Sequence, residues 1–121
     1  MIKKLVTISF FVALISIEYL ATTQIEIKPL ENSWDKANHL IAFFILFLLL
    51  IFSHFELKVS KVILLLLLYA IQIEVVQLFI PNRAFSMLDI FADSIGIFFG
   101  FVVYFVFSQR FIWSQYRDKK Y

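Results

Sequence analysis

The chain has 121 residues; 62% are AVILMFWYC and only 17% are charged. Globular chains average about 45–50% apolar residues even with glycine counted, and a soluble surface needs roughly 25–35% charged side chains, so disorder and an ordinary soluble domain are both excluded. There is no cysteine, hence no disulfide, thiolate metal site or thiol nucleophile, and a net charge of +2 is no nucleic-acid signature.

Four windows are long enough to cross about 30 Å of hydrocarbon at ~1.5 Å per helical residue. The first, Leu5–Ala21, has 17 residues and follows Lys3 and Lys4. A secretory signal peptide shares that layout, but the run continues through Glu18, Tyr19, Leu20 and Ala21 with no clear small-x-small cleavage site, so it is read as a retained span. Asn38–Phe55, with 18 residues, contains thirteen consecutive apolar residues from Leu40 to Phe52, which leaves no polar stripe of the kind a soluble surface helix shows. Val62–Ile80 has 19 residues and Leu88–Ser108 has 21. The alternation of an outer-membrane barrel is absent. Connections such as Glu56–Lys61 are short and make consecutive helices antiparallel neighbours. The expected fold is all-α: one domain over residues 1–121, a polytopic antiparallel bundle of four transmembrane helices.

Basic juxtamembrane residues stay on the cytoplasmic side. With the N-terminus inside, that side holds Lys3, Lys4, Lys58, Lys61, Arg110, Arg117, Lys119 and Lys120, against Lys28, Lys36 and Arg83 outside. Both termini are therefore expected in the cytoplasm. Trp34 and Trp113 fall where interfacial aromatic belts lie, although either suits ordinary packing.

Within the windows the only charged residues are Glu18, Glu74, Asp89 and Asp93, and all are acidic. Each costs at least about 2.5–3.5 kcal/mol at the bilayer centre, so such groups are paired or functional. Glu74 lies seven residues before Pro81, roughly 10 Å down its helix, and Asp93 lies seven after Ser86, at a similar depth from the same side. Glu18 and His39 occupy the outer turns of their helices, so all four helices bring polar groups to one layer. Glu74 and Gln77 share a face at i, i+3; Ser86, Asp89, Asp93, Gly96 and Gly100 follow one 3-4 stripe; Asp35 and His39 are at i, i+4. Lys36 and Arg83 border the layer as partners for the acids.

Each feature also has a structural reading. Ser86-x-x-Asp89 is a capping box. Asp35 is a candidate N-cap, with Ser33 as rival, and Gly96-x-x-x-Gly100 is a small-residue packing face, within one subunit or between two in a homo-oligomer. His39 with Asp35 has the form of a general base and its orienting carboxylate, or of a plain interhelical hydrogen bond. Glu18 can reach interfacial water, and His54 stands alone near the cytoplasmic end. Glu74 is deepest and lacks a local capping duty, so it calls for a partner across the bundle.

Three blocks in order resemble the VanZ-like family of bacterial membrane proteins: Asp35-Lys36-x-x-His39-x-x-Ala42-Phe43, then Glu74-x-x-Gln77, then Arg83-x-x-Ser86-x-x-Asp89-x-x-Ala92-Asp93-x-x-Gly96-x-x-x-Gly100. They cover about half the chain. Asp93 departs from the asparagine more common in the pattern and adds an ionisable group. The resemblance implies a multi-helix protein of the bacterial cytoplasmic membrane, in a family whose named member is associated with low-level teicoplanin resistance; it implies no established reaction.

Three functions remain open at this stage. In the first, Lys36, His39, Glu74, Gln77, Arg83, Ser86, Asp89 and Asp93 bind a membrane lipid or lipid-linked envelope amphiphile, or a lipoglycopeptide, at the outer leaflet. In the second, Glu74, Asp89, Asp93 and His39 are acid and base groups of an enzyme acting on a lipid head group; no phosphate-cradling Gly-rich loop, H-E-x-x-H motif or Gly-x-Ser-x-Gly elbow accompanies them. In the third, the acids clamp helices or handle ions, although none lies in the inner half to complete a path. No metal and no cofactor is expected.

Overall fold

A computed structural model describes residues 1–22, 33–53, 55–81 and 85–120; the side chains of 33–35, 112–114, 116, 118 and 120 are not described. The expectations placed on Trp34, His54 and Arg83, and on the side chains of Ser33, Asp35 and Trp113, lie outside the described residues. The protein is all-helical, with α1 Ile2–Thr22, α2 Ser33–Ile51, α3 Val59–Gln77 and α4 Met87–Lys120, and the described residues contain no strand. Three stretches are long and apolar enough to cross a membrane: Ile2–Thr22, Val59–Gln77 and Met87–Phe111; the apolar part of α2, Lys36–Ile51, is shorter.

Helix ends differ from the apolar windows for local reasons. The expected 38–55 span becomes a helix ending at Ile51, because the Ser53 hydroxyl donates to the Leu50 carbonyl at 2.7 Å and draws the chain out of register. Glu56 then takes a left-handed φ of 53°, uncommon without glycine, and the only two glycines of the chain lie in α4. The expected 62–80 span ends as a helix at Gln77. The amides of Leu78, Phe79 and Ile80 bond three residues back, to Val75, Val76 and Gln77, tightening the chain ahead of Pro81, which disfavours helix in the residue before it. The fourth window extends from 88–108 to Met87–Lys120, since its polar tail holds no glycine or proline after Gly100.

α2 packs against all three other helices, and α1 and α4 do not meet among the described residues. Its inward stripe Phe43, Leu46, Phe47 and Leu50 meets Val62, Leu66, Ala70 and Ile73 of α3, with Phe10 of α1 and Ile97 of α4 closing the core. The α2–α4 contact is close because of the glycine stripe. A Cβ at Gly96 would collide with the Leu40 carbonyl oxygen, and one at Gly100 would lie 2.8 Å from Phe47 Cδ1. Gly96 and Gly100 are thus buried against α2 of the same chain. Large apolar side chains such as Ile15, Leu64, Phe91, Phe98 and Phe107 are exposed around the outside, as expected of a surface whose solvent is lipid.

Side-chain bonds between helices set the register. Tyr69 donates to the Leu14 carbonyl at 2.9 Å, Gln72 to Glu18 at 3.0 Å and Gln77 to the Ala21 carbonyl at 3.1 Å, so α3 runs parallel to α1. At the other end, Lys3 pairs with Glu56 at 3.1 Å. The C-termini of α1 and α3 and the N-termini of α2 and α4 therefore share one end, opposite the start of α1.

Candidate functional site

At that shared end, α4 begins with Ser86 as its N-cap, the hydroxyl accepting the Asp89 amide at 3.3 Å. The sequence predicts a capping box in which Asp89 would return the favour. Instead the Ser86 amide donates to Glu74 Oε2 of α3 at 3.0 Å. Glu74, which has no capping duty on its own helix, thus finds its partner across the bundle: it caps a neighbouring helix, and its carboxylate lies where the α4 dipole is positive. Asp89 faces His39 of α2.

His39 of α2 fills the space between the acids of α4. Its Nδ1 lies 2.8 Å from Asp93 Oδ1 and its Nε2 lies 3.8 Å from Asp89 Oδ2. Nδ1 and Asp93 Oδ1 share this hydrogen bond, with the imidazole tautomer setting which of them donates. The i, i+4 spacing of Asp89 and Asp93 on α4 puts both beside one imidazole. Glu74 and Asp93 are fully buried, and Asp89 nearly so at 7% exposure. His39, Glu74 and Asp89 each offer a donor atom, all within 4.8 Å of one another, in an arrangement able to hold a metal ion.

The expected residues divide in the structure. His39, Glu74, Ser86, Asp89 and Asp93 come together from three helices. Gln77 is buried but turns to α1, where it serves the Ala21 carbonyl, one of the terminal carbonyls left unpaired by helix geometry. The face shared by Glu74 and Gln77 is thus divided between two neighbouring helices. Lys36 is partly buried one turn before His39; Arg83 lies outside the described residues. Asp35 falls inside α2 and not at its cap. Glu18 is engaged by Gln72 on the α1–α3 side. What spacing did not reveal is that Asp93 holds His39 across two helices 54 positions apart, which no local motif encodes.

Fold and site together define a membrane-type all-helical protein with an acid–histidine cluster buried at one end of its bundle. The family profile described as VanZ/LLP1 matches residues 3–108, most of the chain. The chain belongs to the VanZ/LLP1 family. Comparison with curated proteins and with solved structures finds no significant match.

Proposed function

We propose that the chain is a multi-pass protein of the bacterial cytoplasmic membrane, with both termini in the cytoplasm, that binds or modulates a lipid-linked cell-envelope intermediate or a lipoglycopeptide at the outer leaflet. The observation that carries this reading is the His39–Asp93–Asp89–Glu74 cluster, gathered from three helices at the end opposite the start of α1, in a chain otherwise surfaced by apolar side chains. Buried carboxylates and an imidazole cost free energy in such a setting unless they are used. They accept from and donate to the hydroxyl and amide groups of a sugar or peptide head group, while Lys36 and Arg83 supply positive charge for an anionic one. In this reading the family link to teicoplanin resistance reflects capture of the antibiotic or of an envelope intermediate.

The test is binding in reconstituted vesicles. Lys36→Ala and Arg83→Ala are expected to weaken capture of a lipid-linked cell-wall intermediate, or of teicoplanin, by about tenfold each, the loss of one charge-assisted contact; unchanged binding overturns the proposal. The His39–Asp93 bond favours a second reading, because a carboxylate on Nδ1 orients an imidazole as a general base. An enzyme would release a fragment from one member of a panel of lipid intermediates, and His39→Ala would abolish that release.

A further inference from the structure

The surroundings of His39 carry a more specific inference, independent of which amphiphile binds. With Nδ1 held by Asp93, Nε2 lies on the opposite edge of the ring. That edge faces Asp89 Oδ2 at 3.8 Å, an ion-pair distance when the imidazole is protonated. It is also the spacing of two donors on one ion. Bonds of about 2.1 Å put neighbouring donors ~3.4 Å apart at a tetrahedral angle and opposed donors ~4.2 Å apart. Glu74 completes a trio whose donor atoms all lie within 4.8 Å, so rotation of a carboxylate by a fraction of an ångström to an ångström closes it.

Glu74 supplies the independent sign of a missing ligand. Its side chain is fully buried. One oxygen accepts the Ser86 amide, and the other, Oε1, has no hydrogen-bond partner among the described residues. A buried carboxylate oxygen calls for a donor, a cation or its own proton, and the first is absent here among the described residues. We propose that His39 Nε2, Glu74 and Asp89 bind a divalent transition-metal ion, zinc or manganese, with Asp93 as the positioning residue that fixes the imidazole. The mixed nitrogen and oxygen donors suit such ions, and the carboxylate on the far ring nitrogen is the usual partner of a metal-bound histidine. The three ligands come from three helices, which is why the sequence shows no metal motif.

The experiment uses the full chain purified in detergent, stripped with EDTA, dialysed against Zn²⁺ or Mn²⁺ and analysed for bound metal by mass spectrometry. About one tightly held zinc or manganese ion per chain is expected. His39→Gln and Asp89→Asn are each expected to lower affinity by a hundredfold or more, and Asp93→Asn by about tenfold with stoichiometry preserved. Glu18→Gln, whose carboxylate lies on the α1–α3 side, is expected to bind as the wild type does. Circular dichroism of the metal-free variants separates loss of ligand from loss of fold. The proposal is overturned if the wild-type chain retains neither zinc nor manganese. It is equally overturned if it retains only Mg²⁺ or Ca²⁺, which take oxygen ligands, or if His39→Gln and Asp89→Asn bind metal as tightly as wild type. Since metal analysis of the wild type involves no lipid, failure of the lipid reading leaves this result unaffected, and the reverse also holds.

Discussion

Glu74 does two things with two oxygens, and substitutions separate them. Oε2 receives the Ser86 amide, and Oε1 is buried without a hydrogen-bond partner among the described residues. Glu74→Gln keeps a carbonyl oxygen for the amide, so the chain is expected to fold with an unfolding midpoint near wild type while losing function at the cluster. Glu74→Ala strands a buried N–H, which costs about 1–3 kcal/mol, and thermal unfolding in detergent should show that loss. If Gln is as damaging to the fold as Ala, the carboxylate is a structural clamp and the site reading fails. Asp93 behaves in parallel: Asp93→Asn keeps an acceptor for His39 Nδ1, whereas Asp93→Leu removes it and should destabilise the chain by a similar amount. The sequence showed these residues to be deep, acidic and on common faces. It could not show that Glu74 turns to α4 and Gln77 to α1, because two side chains three positions apart diverge once each finds its own backbone partner.

At the scale of helices, the apolar windows recovered all four elements in order, because a run such as Leu40–Phe52 has no other low-energy arrangement in lipid. Their ends differ from the helix ends by one to five residues, except that α4 runs twelve residues past its window. Hydropathy reports which side chains tolerate hydrocarbon, whereas helix ends answer to Ser53, Pro81 and the cap at Ser86. The glycine stripe was readable as a packing face, but its partner was not. Its assignment to α2 predicts an ordered pair of effects. Gly96→Ala pushes a methyl into the rigid Leu40 carbonyl and should destabilise the protein by about 1–3 kcal/mol. Gly100→Ala meets the Phe47 ring, a side chain able to shift, and should cost less. Unfolding midpoints measured side by side in one detergent check the order, and a larger effect at Gly100 would contradict the packing described.

For the whole molecule, the distribution of lysine and arginine predicts which face the cluster occupies. The chain has no native cysteine, so single replacements report sidedness without background. Ser60→Cys and Gln115→Cys should react with an impermeant maleimide only after cells are permeabilised, and Phe79→Cys should react in intact cells. The reverse pattern would put the cluster on the cytoplasmic face and exclude an extracellular ligand. The cysteine readout tests orientation alone, since it is indifferent to what the cluster binds.

The glycine contacts also fix the relative height of α2 and α4, and the edge-on contact of Phe52 with Tyr104 marks the level at which α2 runs out. Beyond it α4 stays apolar to Phe107, then passes through Ser108, Gln109 and Arg110 to Phe111, about seven residues or ~10 Å further. One sheet of lipid cannot match both lengths. A thick bilayer that covers Phe107 and Phe111 must submerge Arg110 and the hairpin bend between α2 and α3, where Lys58 and Lys61 resist immersion although Lys3 and Glu56 pair with each other. A thin one leaves the foot of α4 to tilt into the interface. Acyl-chain length is therefore expected to act on the foot of α4, while the contacts of Gly96 and Gly100 hold its upper turns to α2.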